Sequence, residues 1–252
     1  MAADDEIAAI LVNRGRRLVR RRFRRINFTG NHHADTLLND LDHYPHHFVL
    51  ACIMDRQISA ERAWLIPYAL GTRIGAFEFE AFSRVSQVEI GRRMREPESL
   101  HRFPETMAKN LFAAIRRIES IYGGKASSIW EGRPSSATIV RRFLEFEGAG
   151  PKIATMAANI LVRDFKVRVS DRSSIDISPD VQVRRVFARL GLTDTHATNE
   201  QLIYRAREMF PRYPGIFDLS TWEIGRNWCR PRAPNCSECY MNKCCPTAFT
   251  QP

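Results

Sequence analysis

With 252 residues, 44% of them apolar, and only 13 glycines and 13 prolines, the chain can build one large or two modest cores, which excludes a disordered or fibrous protein. A formal charge of +10 and a pI near 9.7 point to a polyanionic partner, nucleic acid ahead of anionic membrane. The longest apolar run, Phe48 to Met54, is far too short to span a bilayer, and no basic stretch followed by an apolar core marks a secretory signal. A cytoplasmic (nucleoid-associated) or nuclear protein is therefore expected, whose cysteines suit metal ligation better than disulfides.

Residues 6–25 carry Ile7, Ile10, Leu11 and Leu18 at helical spacing among Arg14, Arg16, Arg17, Arg20, Arg21, Arg22, Arg24 and Arg25. Such a helix is a solvated face or a surface that neutralises phosphates. Five of the seven histidines fall within residues 31–47; with no cysteine nearby and loose spacing, a polar connector is expected there. An apolar helix then runs to Met54, Asp55-Arg56-Gln57 makes a polar junction, and a further helix begins near Ser59. Cys52 reads as a small buried hydrophobe. Gln57 is an ordinary turn residue, or a neutral donor and acceptor able to fill a gap in a base stack. Helical patterning continues over Phe77–Met94 and over Pro104–Tyr122, where Gly123-Gly124 closes the helix. The only hint of β-alternation is weak and lies at Lys166–Ser170.

Residues 143–180 organise the rest. An apolar helical segment with Ile139, Phe143, Leu144 and Phe146 stops at Gly148-Ala149-Gly150, and a second helix starts at Pro151 with Ala154, Ala157, Ala158 and Leu161 along one side. Two glycines permit the reversal, and proline suits a first helical position. The amides of this turn have no intrahelical acceptors and can bind an anion such as a DNA phosphate. The pattern is a helix-hairpin-helix with Lys152 in the first turn of its second helix. Read by itself, it is equally an ordinary αα-corner with a surface lysine. Helices are expected at Val181–Leu190, at Asn199–Phe210 and near Trp222–Trp228.

The strongest chemical signal is Cys229-x6-Cys236-x2-Cys239-x5-Cys245, four thiols within 17 residues. They suffice for a four-iron cluster, although a four-cysteine zinc site is the plainer alternative. Cys244 would break the spacing and is treated as a spare.

Taken together, the hairpin, its lysine, the later aspartate and the cysteine spacing resemble the endonuclease III family, the iron–sulfur DNA glycosylases of the helix-hairpin-helix superfamily. The likeness runs from about residue 44 to residue 248. Gly148-Ala149-Gly150-Pro151-Lys152 matches the family's hairpin, with Lys152 on its nucleophile, and Asp180 with Arg185-Val186 matches its catalytic-aspartate helix. Gln57 falls on the position used to plug the duplex, and the 6-2-5 spacing resembles the 4Fe–4S loop. Met107-Ala108-Lys109-Asn110 and Ile224-Gly225-Arg226 also look similar. The chain departs from the family in a longer Lys152–Asp180 interval, with Asp171-Arg172-Ser173-Ser174 inserted, and in Val181-Gln182, where the family usually has Thr-His.

The resemblance implies an all-α, two-domain helix-hairpin-helix glycosylase fold with a C-terminal cluster loop. Residues 1–43 would be N-terminal helices packing with the cluster domain, 44–165 a helical barrel carrying the hairpin, and 166–252 the 4Fe–4S domain carrying Asp180. It implies a monomer that acts on double-stranded DNA holding a damaged base or an abasic site. Base loss passes through a cation-like sugar, which a carboxylate stabilises, and a neutral lysine can attack C1′ to form a Schiff base that permits β-elimination. The roles implied are Lys152 as nucleophile, Asp180 for charge stabilisation or proton transfer, Gln57 as plug, Gly148, Ala149 and Gly150 as phosphate clamp, and Cys229, Cys236, Cys239 and Cys245 as cluster ligands. Asp180 also reads as a helix cap, with Asp171 and Asp176 as rivals for the catalytic role. A monofunctional glycosylase and a non-catalytic iron–sulfur DNA-binding protein are the alternatives.

Overall fold

The computed structural model describes residues 2–20 and 24–250, and Arg21 and Arg22 of the arginine-dense segment lie outside the described residues. Among the described residues there is no strand. In chain order the helices are α1 (Ala2–Val19), α2 (His32–Asn39), α3 (Pro45–Met54), α4 (Ala60–Ile74), α5 (Phe79–Ser83), α6 (Gln87–Arg95) and α7 (Pro104–Tyr122). They continue as α8 (Ser136–Leu144), α9 (Pro151–Arg163), α10 (Val181–Arg189), α11 (Asn199–Met209), α12 (Ile216–Asn227) and α13 (Pro246–Thr250), with a 3₁₀ turn at Ala126–Ile129. The described residues group into two compact units. One holds those of Met1–Arg22, Ser135–Ala137 and Ser170–Pro252; the other holds those of Phe23–Pro134 and Thr138–Val169.

In the second unit, α3 is buried on every side, as its uninterrupted run of apolar residues requires of a central helix. Pro45 at its first turn preorganises the start. Phe48 meets Trp64 of α4, Trp130 and Phe165 with ring centroids 5.6, 6.0 and 5.5 Å away, and Phe28 stacks on Trp64 at 4.3 Å. Ser59 caps α4 by accepting the Arg62 amide. Cys52 is fully buried in α3, as its apolar neighbours predict.

Three local expectations are corrected. The histidine-rich segment is no polar connector: His46 and His47 lie buried in the first turn of α3, where both Nε2 atoms donate to the Phe77 carbonyl at 2.8 and 3.1 Å. Burial holds both rings neutral, with pKa values pushed down to about 4 and about 3. The segment from Phe77 to Met94 is likewise not one helix. It breaks between α5 and α6, because Ser86 takes an extended conformation and caps α6 by accepting the Glu89 amide. The stretch at Lys166–Ser170 forms no strand, and Lys166 adopts a positive φ of 60°.

In the first unit, α12 is the spine, with α1 and α10 packed against it. Ile7 and Leu11 of α1, Val183, Val186 and Phe187 of α10, and Ile216, Phe217 and Ile224 of α12 are all buried. Not all of the N-terminal arginines are free for phosphates. Arg14 forms a two-pronged pair with Glu223 of α12 at 2.8 and 2.5 Å, and Arg16 lies over the Phe210 ring. The approach of α10 to α12 depends on Gly225, where an added Cβ would stand 2.4 Å from Oε1 of Gln182.

Candidate active site

The hairpin forms as its sequence requires. After α8, the amide of Ala149 donates to the Phe146 carbonyl at 3.0 Å, and α9 begins at Pro151. Gly148 takes φ +84°, and a Cβ there would fall 2.3 Å from Nδ2 of the buried Asn110 on α7. Only glycine meets both conditions. Gly150 differs from it: its φ of −91° and ψ of 178° are extended, and a Cβ would meet nothing within 4 Å. As N-cap of α9 it supplies no side-chain cap, so the first-turn amides keep their capacity for an external acceptor. Lys152 stands exposed in that first turn, and α9 then buries Ala154, Ala157, Ala158 and Leu161.

The end of α3 belongs to the same unit and the same neighbourhood. Burial raises the Asp55 carboxyl above its ordinary range, and the charge of Lys152 works against that rise. Two residues on, Gln57 is exposed and holds φ 57°, a conformation that a non-glycine residue rarely adopts.

Asp180 lies in the other unit, half-buried, as the N-cap of α10. Its Oδ1 accepts the amides of Gln182 and Val183, each at 2.8 Å, so it is indeed a helix cap. Its Oδ2 accepts the indole N–H of Trp222 from α12 at 2.5 Å. The two rivals are committed elsewhere. Asp176 is buried and held by Arg207 through two contacts of 2.7 Å. Asp171 accepts the Ser136 hydroxyl at 2.6 Å and the amide and hydroxyl of Ser173 at 3.1 and 2.9 Å, which holds its carboxyl below the usual range. The inserted segment is thus a tied loop. The Ser174 amide donates to Ser136, the Gly215 amide to the Ile175 carbonyl at 2.7 Å, and the Ser178 amide to Asp218 at 2.9 Å.

The far end of α10 is bound to the cysteine loop. Arg185 donates to the carbonyls of Cys229 and Gly225 at 2.8 and 3.1 Å, and Arg189 to those of Arg230 and Pro231 at 2.7 and 3.0 Å. Arg189 also points at the Cys229 sulfur at 3.4 Å. Cys229, Cys236, Cys239 and Cys245 line one apolar cavity together with Val186 and Arg189, and Cys244 is not among its walls. The donor set is all-sulfur, and Cys239 and Cys245 have thiols pushed up by burial. Among the described residues no three such donors converge on a point suited to a single metal ion. The four cysteines of the 6-2-5 pattern thus share the walls of one cavity.

No family model and no curated protein matches the chain. Solved structures do. A trapped endonuclease III–DNA covalent intermediate, an estranged-adenine complex, superposes with a TM-score of 0.58 at 16% identity, over 86% of this chain and 93% of the other. A thermostable thymine-DNA glycosylase gives 0.60 at 17% identity over 99% and 98%. The chain has the helix-hairpin-helix DNA glycosylase fold. A Clostridium acetobutylicum 8-oxoguanine glycosylase/lyase, bound to double-stranded DNA with cytosine opposite 8-oxoguanine, shares it with a TM-score of 0.53 at 14% identity, over 72% and 59%.

Within this glycosylase fold, sequence reasoning missed three residues. Asn110, noted only as part of a similar-looking run, is the seat of Gly148. Arg189 ties α10 to the cysteine loop. Trp222, read merely as the start of a helix, holds Asp180. No spacing rule could have paired Trp222 with Asp180, because the contact joins two helices 42 positions apart.

Proposed function

We propose that the protein is a DNA repair enzyme that removes a damaged base, an oxidised one being the leading candidate, by cleaving its N-glycosidic bond, and that it acts further as a lysine Schiff-base lyase. The observation that supports this best is the hairpin: Gly148 seated on Asn110 delivers an uncapped helix start with Lys152 exposed in its first turn. The solved structures sharing the fold include complexes with DNA, which supports double-stranded DNA as partner. In this reading the turn amides bind a backbone phosphate and position the duplex without reading its sequence. Gln57, already held in an unusual backbone conformation and exposed, fills the place vacated by the extruded base.

As the C1′–N bond breaks, the leaving base takes the bonding electrons and positive charge grows on the sugar, where Asp180 stabilises it. The neutral Nζ of Lys152 then forms a bond to C1′. Loss of its proton and opening of the ring give the iminium, from which a proton leaves C2′ and the 3′ phosphate departs. Cys229, Cys236, Cys239 and Cys245 would hold a 4Fe–4S cluster, which would supply a four-point cross-link for the loop to which α10 is tied. Base release from duplexes carrying one oxidised base tests the proposal. Wild-type protein should release the base, and Asp180→Asn, which keeps the cap, should do so slower by on the order of 10²–10³. An Asn variant as fast as wild type would reduce Asp180 to a cap.

A further inference from the structure

The Asp180 carboxylate is held by more than its own helix. Oδ1 accepts two backbone amides, from Gln182 and Val183, which fix where that oxygen sits. Oδ2 accepts the indole N–H of Trp222 at 2.5 Å. Trp222 is itself 40% exposed, and one face of its ring is covered by the Arg226 guanidinium, 4.0 Å from the ring centroid. Arg226 lies one helical turn beyond Trp222 on α12, so the stack locks the indole by an i, i+4 contact. The indole donor is neutral. It orients the carboxylate without adding an opposite charge that would cancel the one the sugar needs. Asp176, gripped by Arg207, shows the opposite arrangement in the same unit.

We infer that Trp222, steadied by Arg226, is the positioning residue of the base-excision step: its N–H fixes the plane of the Asp180 carboxylate and leaves a lone pair of Oδ2 for the substrate. The assignment rests on the proposed glycosylase reading and extends it to a residue outside the hairpin and the cysteine loop. Trp222→Phe keeps the ring and its stack on Arg226 but removes the donor. In single-turnover base release it should slow excision by roughly ten- to a hundredfold, with DNA affinity unchanged.

A double-mutant cycle separates positioning from general support of the fold. In the Asp180→Asn background the amide already turns an N–H towards the indole donor, so adding Trp222→Phe should cost nothing further. Arg226→Gln, which unstacks the ring but leaves the donor, should slow excision less than Trp222→Phe. Excision by Trp222→Phe at the wild-type rate would overturn the inference and leave the glycosylase reading intact. A loss of equal size in the Asp180→Asn background would also overturn it. Wild-type protein that binds duplex DNA yet releases no base from any damaged duplex would overturn the glycosylase reading itself, and with it this role.

Discussion

Gly148 and Gly150 look alike in the sequence and do different work. Gly148 combines a positive φ with an Asn110 side chain where its Cβ would go, so Gly148→Ala strains the backbone and dislodges a buried amide. The cost should be about 1–3 kcal/mol, read as a Tm lower by roughly 3–10 °C. Gly150 has ordinary extended dihedrals and open space at its Cβ, so Gly150→Ala should leave Tm unchanged. Its added methyl stands at the uncapped start of α9, where a phosphate would approach, and duplex affinity should fall several-fold. Binding titrations and thermal melts on the two variants check this, and a reversal of the two phenotypes would contradict it. The sequence marks both residues as turn glycines. It does not mark which one the protein needs for itself and which one it leaves open, because that depends on Asn110, 38 positions away.

Among the elements, α10 joins the candidate carboxylate to the cysteine loop. Its N-terminus is Asp180, and its last turns are held by Arg185 and Arg189 to the backbone of the cysteine loop. Iron bound by Cys229, Cys236, Cys239 and Cys245 would therefore stiffen the helix that presents the carboxylate. Cys239→Ser should abolish iron and brown colour and lower Tm, whereas Cys244→Ser should keep the iron, since Cys244 does not line the shared cavity. Metal analysis after anaerobic purification decides it; zinc without iron would contradict the cluster. The cysteine spacing and the Asp180 cap were legible in the sequence because both are local patterns. The buried ring pair His46–His47 was not, because five histidines in a short span look polar until α3 is seen to be central. The break between α5 and α6 was missed because the apolar period continues across it and only the cap at Ser86 interrupts it.

For the whole molecule, the formal charge of +10 predicts affinity for a polyanion. No helix among the described residues is long and apolar enough to cross a membrane. Binding to undamaged duplex should weaken steeply with salt, with a slope of about −0.9 in log K against log salt for each phosphate neutralised. A flat plot would speak against phosphate contacts. The fold class was legible from helical periodicity, while the ties that hold the inserted loop were not, since Ser136, Gly215 and Asp218 reach it from distant parts of the chain.

Borohydride trapping tests the central claim, that Lys152 attacks the sugar from the hairpin. Wild-type protein incubated with an abasic or damaged duplex and reduced with borohydride should give a covalent protein–DNA adduct. Lys152→Ala should give none, although its duplex affinity should largely survive because the turn amides remain. An adduct of undiminished yield from Lys152→Ala would contradict the account and move the chemistry to another amine.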